Sequence, residues 1–278
     1  MLRELGALTR RELLRIGRNP QAIFTGIMVP ILYLLLFGQA FNLGRLFPST
    51  GPASAFLTNA LLGAPDYFSY FAVGMVGFVA VTATLFTGAN VIFDKLFGIL
   101  KRTAATPAPA ASIFGARLLA GALQPVLLAL FVLGLAVAIG HGTGLNGLNV
   151  TGTVTPLGGT EILLSIVLLS VMFTSLFVAI GFVLEQPQTY FAVVNALNLP
   201  VLFTSDALYP WGTMPPWLQS IATYNPVTLA VDVMRENLFP PSDYPHAVWV
   251  YLLGLFAWAA VMIAIAILLV HRALAPRR

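Results

Sequence analysis

Apolar runs of about 17 to 27 residues recur along this chain, long enough for helices that cross a hydrocarbon layer of about 30 Å. Two of them flank the stretch Asp94–Arg117, DKLFGILKRTAATPAPAASIFGAR, which is basic and broken by Pro107 and Pro109. A charged loop clamped between two spanning helices has few places to go, and its positive sign puts it on the cytoplasmic face. Only 9% of the 278 residues are charged and 58% are hydrophobic, whereas soluble domains run near one quarter charged. The sequence therefore predicts an all-α membrane protein, with one transmembrane domain over residues 1–278.

Residues 1–18 predict an amphipathic helix lying in the membrane interface. At about 100° per residue, Leu2, Leu5, Leu8, Leu13 and Ile16 share one face, and Leu14 breaks the pattern. Arg10, Arg11, Arg15 and Arg18 fall opposite, where they are expected to meet anionic headgroups. Asn19-Pro20 supplies a cap and a first-turn proline. Six spans are predicted, at about 20–41, 67–93, 118–140, 161–184, 189–205 and 248–270. Pro30 and Pro125 should kink the first and third. Residues 94–117 become a cytoplasmic coupling loop, and 206–247 an exterior segment.

The fifth run is short, and the turn before it carries no Lys or Arg. Charge decides its status. With six spans, twelve of the fourteen Lys and Arg lie inside, leaving Arg45 and Arg235 outside. That bias favours six spans with both termini cytoplasmic, in a bacterial cell (inner) membrane. The basic excess then faces membrane lipid, and no nucleic-acid partner is expected.

Several chemistries are missing. The chain has no cysteine, which excludes disulfides and thiolate metal sites. Neither Lys95 nor Lys101 follows a glycine, so no G-x-x-x-x-G-K-[ST] phosphate cradle exists. His141, His246 and His271 are scattered, and no metal site or catalytic residue is expected. Asp94, Glu161, Glu185 and Asp206 stand at span edges, leaving the predicted bilayer centre without a carboxylate. Ion-coupled carriers need ionisable groups there. A secondary carrier and an intramembrane enzyme are both disfavoured, and the energy should come from outside the chain.

Polar residues mark some span faces: Thr82, Thr84, Thr87 and Asn90 in the second, Asn195 and Asn198 in the fifth. They suit interhelical hydrogen bonds of about 0.6 kcal/mol each. Alternatively Thr87, Asn90, Asn195 and Asn198 form a weakly polar wall along a path for an amphipathic substrate. In 206–247, Pro215-Pro216 opens one short helix and Asn225-Pro226 caps and opens another. Both are too short to span, which predicts a segment dipping into the outer leaflet with Trp211, Trp217 and Trp249 as interfacial anchors. Asp232, Arg235 and Glu236 are spaced to pair along a helix face as a surface pair of small value.

These two stretches together resemble the permease subunits of type-2 ABC exporters, especially the daunorubicin-resistance-like branch. That family's pattern after the second span appears as Asp94-Lys95-Leu96-Phe97-Gly98-Ile99-Leu100 followed by Thr106-Pro107, without the usual glutamate. Its exterior pattern appears as Ser205, Pro210, Pro216-Trp217-Leu218-Gln219, Asn225-Pro226 and Arg235. The resemblance implies a second permease subunit, identical or paralogous, and separate ABC ATPase subunits that hold ATP and Mg; no cofactor is expected on this chain. It implies ATPase coupling through Asp94, Lys95, Gly98, Leu100, Lys101, Arg102, Thr106 and Pro107, and an exterior gate of Pro216, Trp217, Asn225, Pro226, Asp232 and Arg235. It also implies export of hydrophobic or amphipathic compounds, drug-like ahead of lipid or polysaccharide.

Overall fold

The computed structural model describes residues 2–17, 20–40, 61, 63–104, 110–140, 146–239 and 246–274. Among them every regular element is helical: α1 Leu2–Gly17, α2 Pro20–Ala40, α3 Tyr67–Thr82, α4 Leu85–Leu96, α5 Ile99–Ala104, α6 Ala110–Gly140, α7 Pro156–Val183, α8 Pro187–Phe203, α9 Pro216–Ala222, α10 Pro226–Leu238 and α11 Val248–Leu274. Of the expected site residues, Arg18, Thr106 and Pro107 lie outside the described set, and Lys101 is described by its backbone alone.

Four stretches are long and apolar enough to cross a membrane, Tyr67–Leu96, Ala111–Gly140, Pro156–Val183 and Val248–Arg272, where six spans were expected. The other two are helices of smaller apolar reach. The described apolar stretch of α2 is Gly26–Leu36, and α8 has 17 residues. Both α2 and α6 continue as helix through their prolines, Pro30 and Pro125.

The second span is not one helix. Ala83 and Thr84 form a turn between α3 and α4, because hydroxyls there compete for backbone carbonyls. Thr82 Oγ1 donates to Phe78 O at 2.9 Å and Thr84 Oγ1 to Val81 O at 2.5 Å. The coupling loop is also shorter than expected. Helix α4 runs on to Leu96 and α6 starts at Ala110, eight residues before its predicted limit, because Ile113 and Phe114 bury against the neighbouring helices and hold the extra turns. At the far end Thr155 caps α7, its Oγ1 accepting from Gly158 N at 3.0 Å, so this helix too begins before Glu161.

Helix α7 is the centre of the bundle, packed along α11, α4, α6 and α10. Its seam with α4 is nearly backbone on backbone. A Cβ on Gly88 would stand 2.2 Å from Phe177 O, and one on Gly181 2.4 Å from Gly88 O. Small residues at such seams let helices in lipid gain close packing, which replaces the hydrophobic driving force absent there.

Candidate functional site

Two buried charge clusters stand at opposite ends of the α3–α4 pair. Tyr70, near the start of α3, belongs to one and Asp94, near the end of α4, to the other, 24 residues apart in sequence.

The first cluster gathers around Asp94 of α4, which is 0% exposed. Helix α1 lies across α6 and delivers Arg15, whose NH1 is 2.8 Å from Asp94 Oδ1. Arg117 of α6 donates to the other carboxylate oxygen, and its guanidinium sits 5.9 Å from the Phe182 ring of α7. Arg15 NH2 also donates to Asn90 Oδ1 at 3.4 Å. The sequence sets Arg15 against lipid headgroups, and the resemblance puts Asp94 in the ATPase-coupling stretch. Both are instead committed within the chain, because a carboxylate this deeply buried requires opposite charge and donors on each oxygen.

Beside the cluster, Lys95 Nζ donates to the carbonyls of Phe182 and Leu184, the latter at 2.8 Å. It thus serves the otherwise open carbonyl end of α7. Gly98 then turns the chain with φ +69°, a left-handed conformation that costs other L-residues about 1–2 kcal/mol. Leu100 is buried, Arg102 is exposed, and Arg11 NH1 donates to Thr103 Oγ1 at 3.3 Å. Arg10 is exposed on α1. The turn leaves Leu96 bare and Phe97 73% exposed. The sequence places those two apolar side chains within the coupling loop and gives them no role of their own.

Thr87 and Asn90 belong to this end as well. With Glu12, Arg15, Arg117 and Gln124 they line a polar cavity of about 20 Å3, room for a single water. The fifth-run asparagines are elsewhere, on α8, and they differ: Asn195 is exposed, and Asn198 is buried with no partner for its Oδ1 among the described residues. The four residues of the expected substrate wall are therefore not brought together.

The second cluster centres on Arg235 of α10, expected as a surface pair with Asp232 and found 0% exposed. Its NH1 is 2.6 Å from Asp206 Oδ2, and NH2 donates to Tyr70 O and Asp206 O at 3.3 and 3.2 Å. The guanidinium carbon stacks 3.5 Å from the Tyr70 ring centroid. Asp232 Oδ1 is a distant 3.9 Å from NH1. Burial, the nearby Asp206 and a hydrogen bond with it hold the Asp232 carboxyl well above the usual carboxylate range, against the opposing pull of Arg235. Burial and then Glu161 raise Glu236 in the same direction.

Helices α9 and α10 dip into the bundle and return. At their joint Asn225 accepts from Val227 N at 2.9 Å and donates to Val201 O and Thr204 Oγ1 of the α8 end at 2.7 and 3.0 Å. Trp258 Nε1, ten residues into α11, donates to Tyr224 O at 3.1 Å. At the other end of α10, Asn237 Nδ2 donates to Glu161 Oε2 near the start of α7 at 3.0 Å. So the joint lies beside the middle of α11, and the end of α10 lies beside the start of α7. Pro216 and Pro226 each open their helix, and Trp217 is exposed on α9.

The ABC-2 type transporter profile matches residues 3–239. A chain named transport permease ycf38 from Pyropia yezoensis is 31% identical over 84% of this chain and 74% of its own length. Its namesake from Porphyra purpurea is 29% identical over the same shares. The daunorubicin resistance ABC transporter permease protein DrrB1 of Streptomyces coeruleorubidus is 24% identical over 81% of this chain and 71% of that protein.

Proposed function

Because the chain belongs to the ABC-2 type transporter family, we propose that it is the membrane subunit of an ATP-driven exporter. A separate ABC ATPase binds ATP and Mg, and a second permease subunit completes the assembly. Six helices cross the cell (inner) membrane of a bacterium, both termini are cytoplasmic, and the cargo is hydrophobic or amphipathic. The name of the DrrB1 relative favours a drug-like cargo.

One observation carries the reading. The Arg15–Asp94–Arg117 cluster ties α1, α4 and α6 together directly above the α4–α5 turn, which presents Leu96, Phe97 and Arg102 outward. Force applied to that turn by a soluble partner reaches two spans through a fixed ionic joint. Lys95 passes it to the end of α7. A chain with no phosphate cradle and with such a joint is suited to be moved by a partner's nucleotide.

The test is reconstitution of the chain with its cognate ABC ATPase in vesicles, following a fluorescent anthracycline. Expected is ATP-dependent movement that stops when the ATPase loses its phosphate-binding lysine. Movement by the chain alone, or on a proton gradient without the ATPase, would overturn the proposal.

A further inference from the structure

Between α10, the α9–α10 joint and α11 lies an open cleft of about 540 Å3, lined by Tyr224, Leu229, Tyr251, Gly254, Ala257 and Trp258 among others. Gly254 gives it depth, since a Cβ there would come within 3.0 Å of Leu229 Cδ1. The cleft is almost wholly apolar, with Thr223 and Tyr224 at the joint and a polar pair at the other end. Its mouth holds His246 and Tyr251, ring centroids 6.0 Å apart. Tyr251 is 3% exposed, and its hydroxyl has no hydrogen-bond partner among the described residues. From there apolar walls run to Val261.

Length and surroundings decide the occupant. The α11 residues that line the cleft, Val250 to Val261, cover about 17 Å of helix, close to the ~15 Å of one hydrocarbon leaflet. Helix α11 is long and apolar enough to cross a membrane, and most of it is exposed, with Leu253 and Phe256 beside the cleft turned outward. The open side therefore faces the bilayer. A polar mouth over an apolar slot one leaflet deep matches a chain with an ester at its head.

We propose that this cleft holds one acyl chain of a membrane phospholipid, its ester carbonyl accepting from the Tyr251 hydroxyl. The proposal rests on α11 crossing the bilayer and not on the ATPase or the cargo. Such a lipid packs the flank of α10, the helix that carries Arg235, and so fills the space behind the re-entrant pair.

The experiment places the full chain in phosphatidylethanolamine–phosphatidylglycerol vesicles doped with a phospholipid bearing a diazirine along its acyl chain. After irradiation, adducts are mapped by mass spectrometry. Adducts on Gly254, Ala257 and Val261 should exceed those on Leu253, Phe256 and Leu268 severalfold. Ala257→Trp, which fills the slot, should bring the two groups level, and Tyr251→Phe should lower the excess. Even labelling of α11 in the unmodified chain means annular lipid only and overturns the proposal; that ratio decides should Ala257→Trp fail to insert. Disulfide formation between two Ala257→Cys copies, readable because the chain has no cysteine, would assign the cleft to a second copy and overturn it too. Absence of adducts anywhere on α11 would instead remove the spanning helix on which the proposal stands.

Discussion

At the scale of single residues, the chemistry is set by who neutralises Arg235. With Asp206 and Asp232 both ionised the buried group would carry a net negative charge, which costs several kcal/mol in a low-dielectric site. A proton kept on Asp232 removes that charge. Asp206, Arg235, Glu236, Tyr70 and Tyr251 all bear on this carboxyl. Because its folded value is raised, its contribution to stability is complete below the unfolded carboxylate range and is lost as pH climbs through the folded value. Asp232→Asn, a copy of the protonated form, should flatten that decline, leaving the smaller slope of Glu236. Asp206→Asn should cost about 3 kcal/mol or more by leaving Arg235 buried without its counter-ion. Thermal unfolding in detergent from pH 5 to 9 separates them; equal losses in the two variants would refute the assignment. Sequence reading paired Arg235 with Asp232, three positions away on the same helix. The partner that takes the short contact is 29 positions away, beyond the reach of helical periodicity.

At the scale of elements, some helix starts were legible from the prolines that mark them, although Thr155-Pro156 at the start of α7 was passed over. Asn225-Pro226 opens α10 where expected, and Pro187 opens α8 within two residues of its predicted start. The break at Ala83–Thr84 was not, because its threonines read as polar groups on a continuous face and not as competitors for the ladder. The α4–α5 turn is a sharper case. A Cβ at Gly98 meets nothing within 4 Å, so backbone conformation alone opposes a side chain. Gly98→Ala should cost about 1–2 kcal/mol locally, with Gly98→Asn milder because Asn tolerates that region. In the reconstituted complex, export per ATP should fall while hydrolysis persists. Unchanged coupling in Gly98→Ala would show that the turn does not transmit force. On the other side, the proposed topology puts the backbone of the α9–α10 joint at membrane depth, which is tolerated only when its polar groups are satisfied. Trp258→Phe orphans the Tyr224 carbonyl and should lower stability by about 1–3 kcal/mol, read as a drop in Tm.

At the scale of the molecule, the proposed six crossings require the 17 residues of α8 to complete one. Their rise is about 26 Å, short of the ~30 Å core, and the far end stops against Asn225. The chain then climbs through Asp206, which meets Tyr70 and Arg235 near the start of α3. In that topology helix and climb together reach the rim, with Ser205, Asp206 and Ala207 buried and Asp206 held by α3 and α10. In the proposed six-crossing topology α11 runs downward, carrying Arg272 to the same side as α1. Single cysteines in a chain that has none give a direct reading. An impermeant maleimide should label Thr153→Cys in intact cells, and Arg102→Cys and Arg272→Cys only after permeabilisation. Labelling of Arg272→Cys in intact cells would mean five crossings. The basic tail would then stand outside against the charge rule, and α8 would have to turn back before the far rim.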